Sequence, residues 1–116
     1  MENADARYRT LLDHQLRMNR ETWRRLVAHG VTVATRLRLD FTFVAADEVT
    51  ARGLESLLRE QTDYDVASRA DSEGWTVTGR TQPTEVSLEI LDQWVDWMVT
   101  AGCHVGCEFD GWGTQI

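Results

Sequence analysis

Between residues 6 and 29 apolar side chains recur at three- and four-residue intervals: Tyr8, Leu12, Leu16, Trp23, Leu26 and Val27, with Arg and Glu between them. That spacing predicts one face of a helix. Gly30 follows as its C′ residue, and Arg24, Arg25 and His29 fall where cations suit the negative helix end. The period then changes to two. Val31, Val33, Leu37, Leu39, Phe41 and Phe43 take odd positions; Thr32, Arg36, Arg38, Asp40 and Thr42 take even ones. This predicts a strand with one buried and one wet face. The run exceeds an ordinary strand, so its first residues are assigned to a connector.

Asp47 caps a second predicted helix ending near Gln61, with Ala51, Leu54, Leu57 and Leu58 as its apolar stripe. Gly53 inside it costs up to about 1 kcal/mol relative to Ala, which close packing on a sheet would justify. Tyr64–Arg69 and Trp75–Thr81 are β-prone runs separated by the turn cluster Asp71-Ser72-Glu73-Gly74, and they predict a hairpin. Thr84 is read as the N-cap of a third helix, with Glu85 and Glu89 at its positive end. Leu88, Ile90, Leu91, Trp94, Val95, Met98 and Val99 give that helix a wide apolar face, and Gly102 is read as its stop. A last strand then sets Val105, Cys107 and Phe109 on one side and His104, Gly106 and Glu108 on the other.

The order is a helix followed by β-α-β-β-α-β. It predicts an α+β fold: a ferredoxin-like βαββαβ sandwich with a four-stranded antiparallel sheet, preceded by an extra N-terminal helix. Residues 1–30 are read as the amphipathic helix and residues 31–116 as the ferredoxin-like domain, the whole forming a single folding unit. What covers the second sheet face stays open. The first helix can pack there, at an edge, or on a second copy of the chain.

Charge changes the picture. All twelve basic residues are Arg. The first sixty residues hold ten Arg against nine acids, whereas the remainder holds two Arg against ten acids. An acidic second half disfavours phosphate contacts there and suits a basic protein partner. No run approaches the roughly 20 apolar residues of a membrane span. MENADARYRT lacks the apolar stretch of a secretory signal. A cytoplasmic protein is expected. Cys103 and Cys107, read on one strand, would lie about 13 Å apart, too far for a disulfide, so free thiols are expected.

Cys103-His104-x-x-Cys107 contains metal-ligating residue types, but a structural zinc site takes four ligands. Neither His14 nor His29 forms the second pair, and a strand turns His104 away from both thiols. A cysteine nucleophile would lack a base for the same reason. No metal, cofactor or catalytic residue is expected. Arg36 and Arg38 lie on the wet strand face without the aromatics that stack RNA bases, so direct nucleic-acid binding is not expected. Trp97, one turn after Trp94, is read as flanking the same core seam; an exposed Trp97 would instead mark a contact surface.

The chain ends in Glu108-Phe109-Asp110-Gly111-Trp112-Gly113-Thr114. Asp110-Gly111 tolerates positive φ and ends the strand sharply. Trp112 then either folds back as a lock on the last strand or shapes a surface for a partner; both readings stay open. This string resembles the strand-and-turn ending of the regulator of ribonuclease E activity B family (RraB). The leading helix, the strand entering FVAADEV, the hairpin and the helix from Thr84 occur in that family's order. The resemblance covers roughly residues 8–116.

The resemblance implies a ferredoxin-like domain without enzymatic activity. It would bind the endoribonuclease RNase E outside its catalytic half, lower its activity and influence RNA decay. Better-known members continue into an acidic tail, whereas this sequence ends at Ile116. Arg36, Arg38, Trp97, Glu108, Asp110 and Trp112 are the candidate partner-binding residues. The alternative is a stand-alone binding module, such as an immunity or antitoxin protein with an unrelated partner; a third reading is a small enzyme or metal protein built on Cys103, His104 and Cys107. Oligomeric state is not legible.

Overall fold

The computed structural model describes residues 4–115; residues 1–3 of the expected N-terminal segment, and Ile116, lie outside the described residues. Its elements run α1 (Ala4–Ala28), β1 (Arg36–Leu37), β2 (Asp40–Ala45), α2 (Glu48–Gln61), β3 (Asp65–Asp71), β4 (Gly74–Arg80), β5 (Thr84–Glu85), α3 (Leu88–Val105) and β6 (Glu108–Gly113). Four strands form a sheet in the order β3-β4-β2-β6, every neighbour antiparallel. A separate two-stranded ribbon, β1 with β5, was not expected from the sequence.

The odd-position alternation holds from Leu37 to Phe43 across two strands, whereas Val33, expected on the buried side, is exposed in the connecting turn. Arg36 and Leu37 pair with Glu85 and Thr84, and the chain then changes partner before Asp40 joins β4 and β6. Thr81 holds the break: its hydroxyl accepts from Leu39 N at 3.0 Å and its own N–H donates to Leu39 O at 2.9 Å. Phe41 and Phe43 are buried against α2 and α3, as the alternation requires.

Asp47 caps α2 through Thr50 N at 2.8 Å, and Ala51, Leu54 and Leu58 are buried. Gly53 is exposed, with nothing within 4 Å of where a Cβ would sit. No close packing accounts for this glycine. The hairpin forms over Asp71–Gly74 with Ser72 and Glu73 in the turn.

α3 starts and stops later than expected. Thr84 and Glu85 are held in the ribbon, Val86 is buried, and Ser87 is the cap, accepting from Ile90 N at 3.1 Å. Gly102 lies inside the helix; a Cβ there would come 2.9 Å from both Cys107 O and the Phe43 ring. Close packing explains it, and the true stop is Gly106 at φ 85°, with Cys107 N donating to Gly102 O at 2.8 Å. Cys103, His104 and Val105 are therefore helical, not part of the last strand.

α1 packs along α3 and reaches the outer edge of β6, which answers the question of its position. Gln15 donates to Phe109 O at 3.4 Å and Arg7 pairs with Glu108 at 2.7 Å. An edge strand covered in this way is shielded from further strand pairing. The sheet face opposite α2 and α3 is polar, displaying exposed Ala67, Arg69, Thr78, Arg80 and Glu108, with Val44 half-exposed among them.

Candidate protein-binding surface

The terminal motif is a strand with one extra residue. Phe43 lies opposite Phe109, and Thr42 lies opposite Gly111, so Asp110 is unpaired in a β-bulge. In a regular strand Phe109 and Trp112, three residues apart, would point to opposite faces. The extra residue restores parity and brings Trp112 opposite Phe41, on the core side. Gly111, at φ 138°, supplies the backbone conformation that side chains resist.

Trp112 is a lock. Its indole N–H donates to Asn19 Oδ1 at 2.7 Å, and its ring meets the edge of Trp94 with centroids 6.0 Å apart. Asn19 is fully buried and donates in turn to Asp92 Oδ1 at 3.1 Å. β6, α1 and α3 are thus tied by one chain of hydrogen bonds. Trp94 joins this array and donates to Tyr64 OH at 3.0 Å. A small cleft of about 180 Å³ opens beside that bond, between Tyr64, Pro83 and Ile90.

The six candidate residues do not converge on one site. Arg36 and Arg38 flank a second cleft of about 250 Å³ with Asp40, Arg80 and Gln115. Thr114 is joined to that region, donating from its hydroxyl to Arg38 O at 2.7 Å. Glu108 is held by Arg7, and Asp110 is exposed on the bulge. Trp97 stands elsewhere, on α3. It is 40% exposed and belongs to neither core cluster, unlike Trp23, Trp75, Trp94 and Trp112. The expectation that it flanks the core seam is therefore corrected. Among the described residues its indole N–H has no hydrogen-bond partner.

Sequence reasoning missed Gln15 and Asn19. They occupy the apolar stripe of α1 between Leu12 and Trp23, where polar residues have no place without partners. That interruption was the available signal. Arg80 was missed because only its register opposite Asp40 brings it to the second cleft.

Both cysteines are free thiols, Cys103 exposed and Cys107 buried. Burial pushes the Cys107 thiol up to about 11, and burial followed by the Glu108 carboxylate raises Cys103. Raised thiol pKa values disfavour the nucleophilic thiolate. Among the described residues no three His, Cys, Asp or Glu side chains are grouped to hold a metal ion. No helix among them is long and apolar enough to cross a membrane.

These features define a small mixed α+β protein with an open polar sheet face and, at Trp97, a surface indole without a partner among the described residues. The model of the regulator of ribonuclease activity B family, RraB, matches residues 16–114, and the chain belongs to that family. The match ends at Thr114, the last residue of the motif that locks β6. The family is one of ribonuclease regulators. No curated protein matches the chain.

Proposed function

We propose that this protein is a non-enzymatic regulator that binds the endoribonuclease RNase E outside its catalytic half, lowers its activity and so modulates RNA decay in the cytoplasm. The observation that carries this reading is the family match over residues 16–114. The strand order β3-β4-β2-β6, with α2 and α3 on one face, supports a ferredoxin-like βαββαβ unit at residues 31–116. α1, Ala4–Ala28, within the expected N-terminal segment 1–30, is an addition that folds with it.

Trp97 is the leading contact. An exposed indole outside the core has the area and the free donor typical of interface hot spots. Its helix carries Glu89, Asp92 and Asp96 and no Arg, a setting suited to an Arg-rich segment. Glu108, Asp110, Arg36 and Arg38 form the outer candidates, and Trp112 contributes by fixing β6 beneath them. Titration against RNase E fragments tests the reading. Binding to a non-catalytic fragment at micromolar concentration and low salt supports it, and no binding under those conditions rejects it.

A further inference from the structure

The second cleft contains two of those outer candidates, Arg36 and Arg38, yet the reading centred on Trp97 gives its lining as a whole no ligand. It is lined by Arg36, Leu37, Arg38, Asp40, Arg80 and Gln115. Three guanidiniums border one depression in a chain of net charge −7. Among the described residues most of their donors are unspent. Arg80 uses its Nε on Asp40 Oδ1 at 2.6 Å, and its terminal nitrogens make no hydrogen bond among the described residues. Among the described residues the Arg38 side chain reaches only Gln82 Oε1, at 3.5 Å. Arg36 lies 3.8 Å from Glu85, an exposed pair too loose to count as a hydrogen bond. Such surface pairs contribute little and exchange readily for a better anion.

The backbone beneath these side chains is fixed. Thr114 holds the carbonyl of Arg38, and Thr81 holds both polar backbone groups of Leu39. Arg36 and Arg38 share one face, and the pairing of Asp40 with Arg80 brings the third guanidinium to the same place. Guanidinium forks from several directions match an anion with three equivalent oxygens and two charges better than a planar carboxylate.

We propose that this cleft binds a terminal phosphate monoester, carried either by a mononucleotide or by the 5′ end of an RNA. The open sheet face beside it has no aromatic platform, so recognition runs through the phosphate and not the base. Because arginine stays charged, pH dependence comes from the ligand, whose second ionisation lies near pH 6.

The test is titration of the full chain, followed by backbone amide shifts in NMR, with adenosine monophosphate, adenosine, and one short RNA bearing a 5′-phosphate or a 5′-hydroxyl. The expected result is shifts around residues 36–40 and 80 with the monophosphate, absent with adenosine, and tightening between pH 5.5 and 7.5. Arg38→Ala weakens binding about threefold to tenfold, Arg38→Lys weakens it less, and Trp97→Ala leaves it unchanged. If the phosphorylated RNA binds and its hydroxyl counterpart does not, the RNA end is a source; if only the mononucleotide binds, the free nucleotide is. Equal binding of adenosine and its monophosphate, equal binding of the two RNAs, or an unaltered Arg38→Ala variant that melts like the parent would overturn the proposal.

Discussion

Trp112 and Asn19 are joined by a 2.7 Å hydrogen bond that runs from the last strand into the first helix. Asn19 is fully buried, so its side-chain oxygen has no water to replace the indole N–H. Trp112→Phe keeps a ring in place but orphans that oxygen. A loss of about 1–3 kcal/mol is expected by urea unfolding. Pairing it with Asn19→Leu should recover part of the loss, and a strictly additive double variant would contradict the bond's importance.

The bulge at Asp110 sets which face Trp112 occupies. Inserting one residue between Gly111 and Trp112 leaves the bulge in place and turns the indole to the open sheet face, whereas deleting Asp110 leaves Phe109 and Trp112 two residues apart on the core face of a regular strand. The insertion variant should be destabilised at least as much as Trp112→Ala, and more than the deletion variant, measured by thermal melting. An insertion variant as stable as the parent would show that parity does not govern the motif.

Two helix glycines should respond in opposite directions. Gly53→Ala adds a methyl into open space and a better helix former, stabilising by up to about 1 kcal/mol. Gly102→Ala forces Phe43 and the Cys107 carbonyl apart and should cost about 1–3 kcal/mol. Chemical denaturation of both variants checks the pair, and the same sign for both would refute the packing described.

Alkaline pH should weaken the fold through Cys107. Its folded pKa of about 11 lies above the ordinary 9.0 because the thiol is buried. Above pH 9 the unfolded chain loses this proton while the folded chain retains it, so unfolding is favoured. The contribution is whole below pH 9 and declines through pH 11, by about 2–3 kcal/mol in total. In Cys107→Ala the decline between pH 9 and 10 should shrink to the part from Cys103, whose thiol is also raised, followed by the later one from Tyr64 and Tyr8, both raised as well. An identical slope in that window would remove Cys107 as its source.

Local chemistry was legible where one residue decides one conformation. Asp47 as a cap, the turn before Gly74, and the burial of Phe41 and Phe43 all followed from residue type and period. What escaped depends on neighbours distant in sequence. Leu37 and Leu39 continue one alternation across two strands, because period cannot register a change of pairing partner. Gly102 looks like a helix stop until Phe43 is seen against it. Phe109 and Trp112 share a face only through a bulge that spacing alone contradicts. Trp94 and Trp97 are one turn apart, yet only the first has Phe41, Phe109 and Trp112 around it.

The central claim is that this protein works by holding a ribonuclease. Calorimetric titration of non-catalytic RNase E fragments into the parent chain and Trp97→Ala tests it most directly. The account predicts saturable micromolar binding at low salt, weakened at least about tenfold by Trp97→Ala with unchanged melting. Absence of binding to every fragment under those conditions would contradict it.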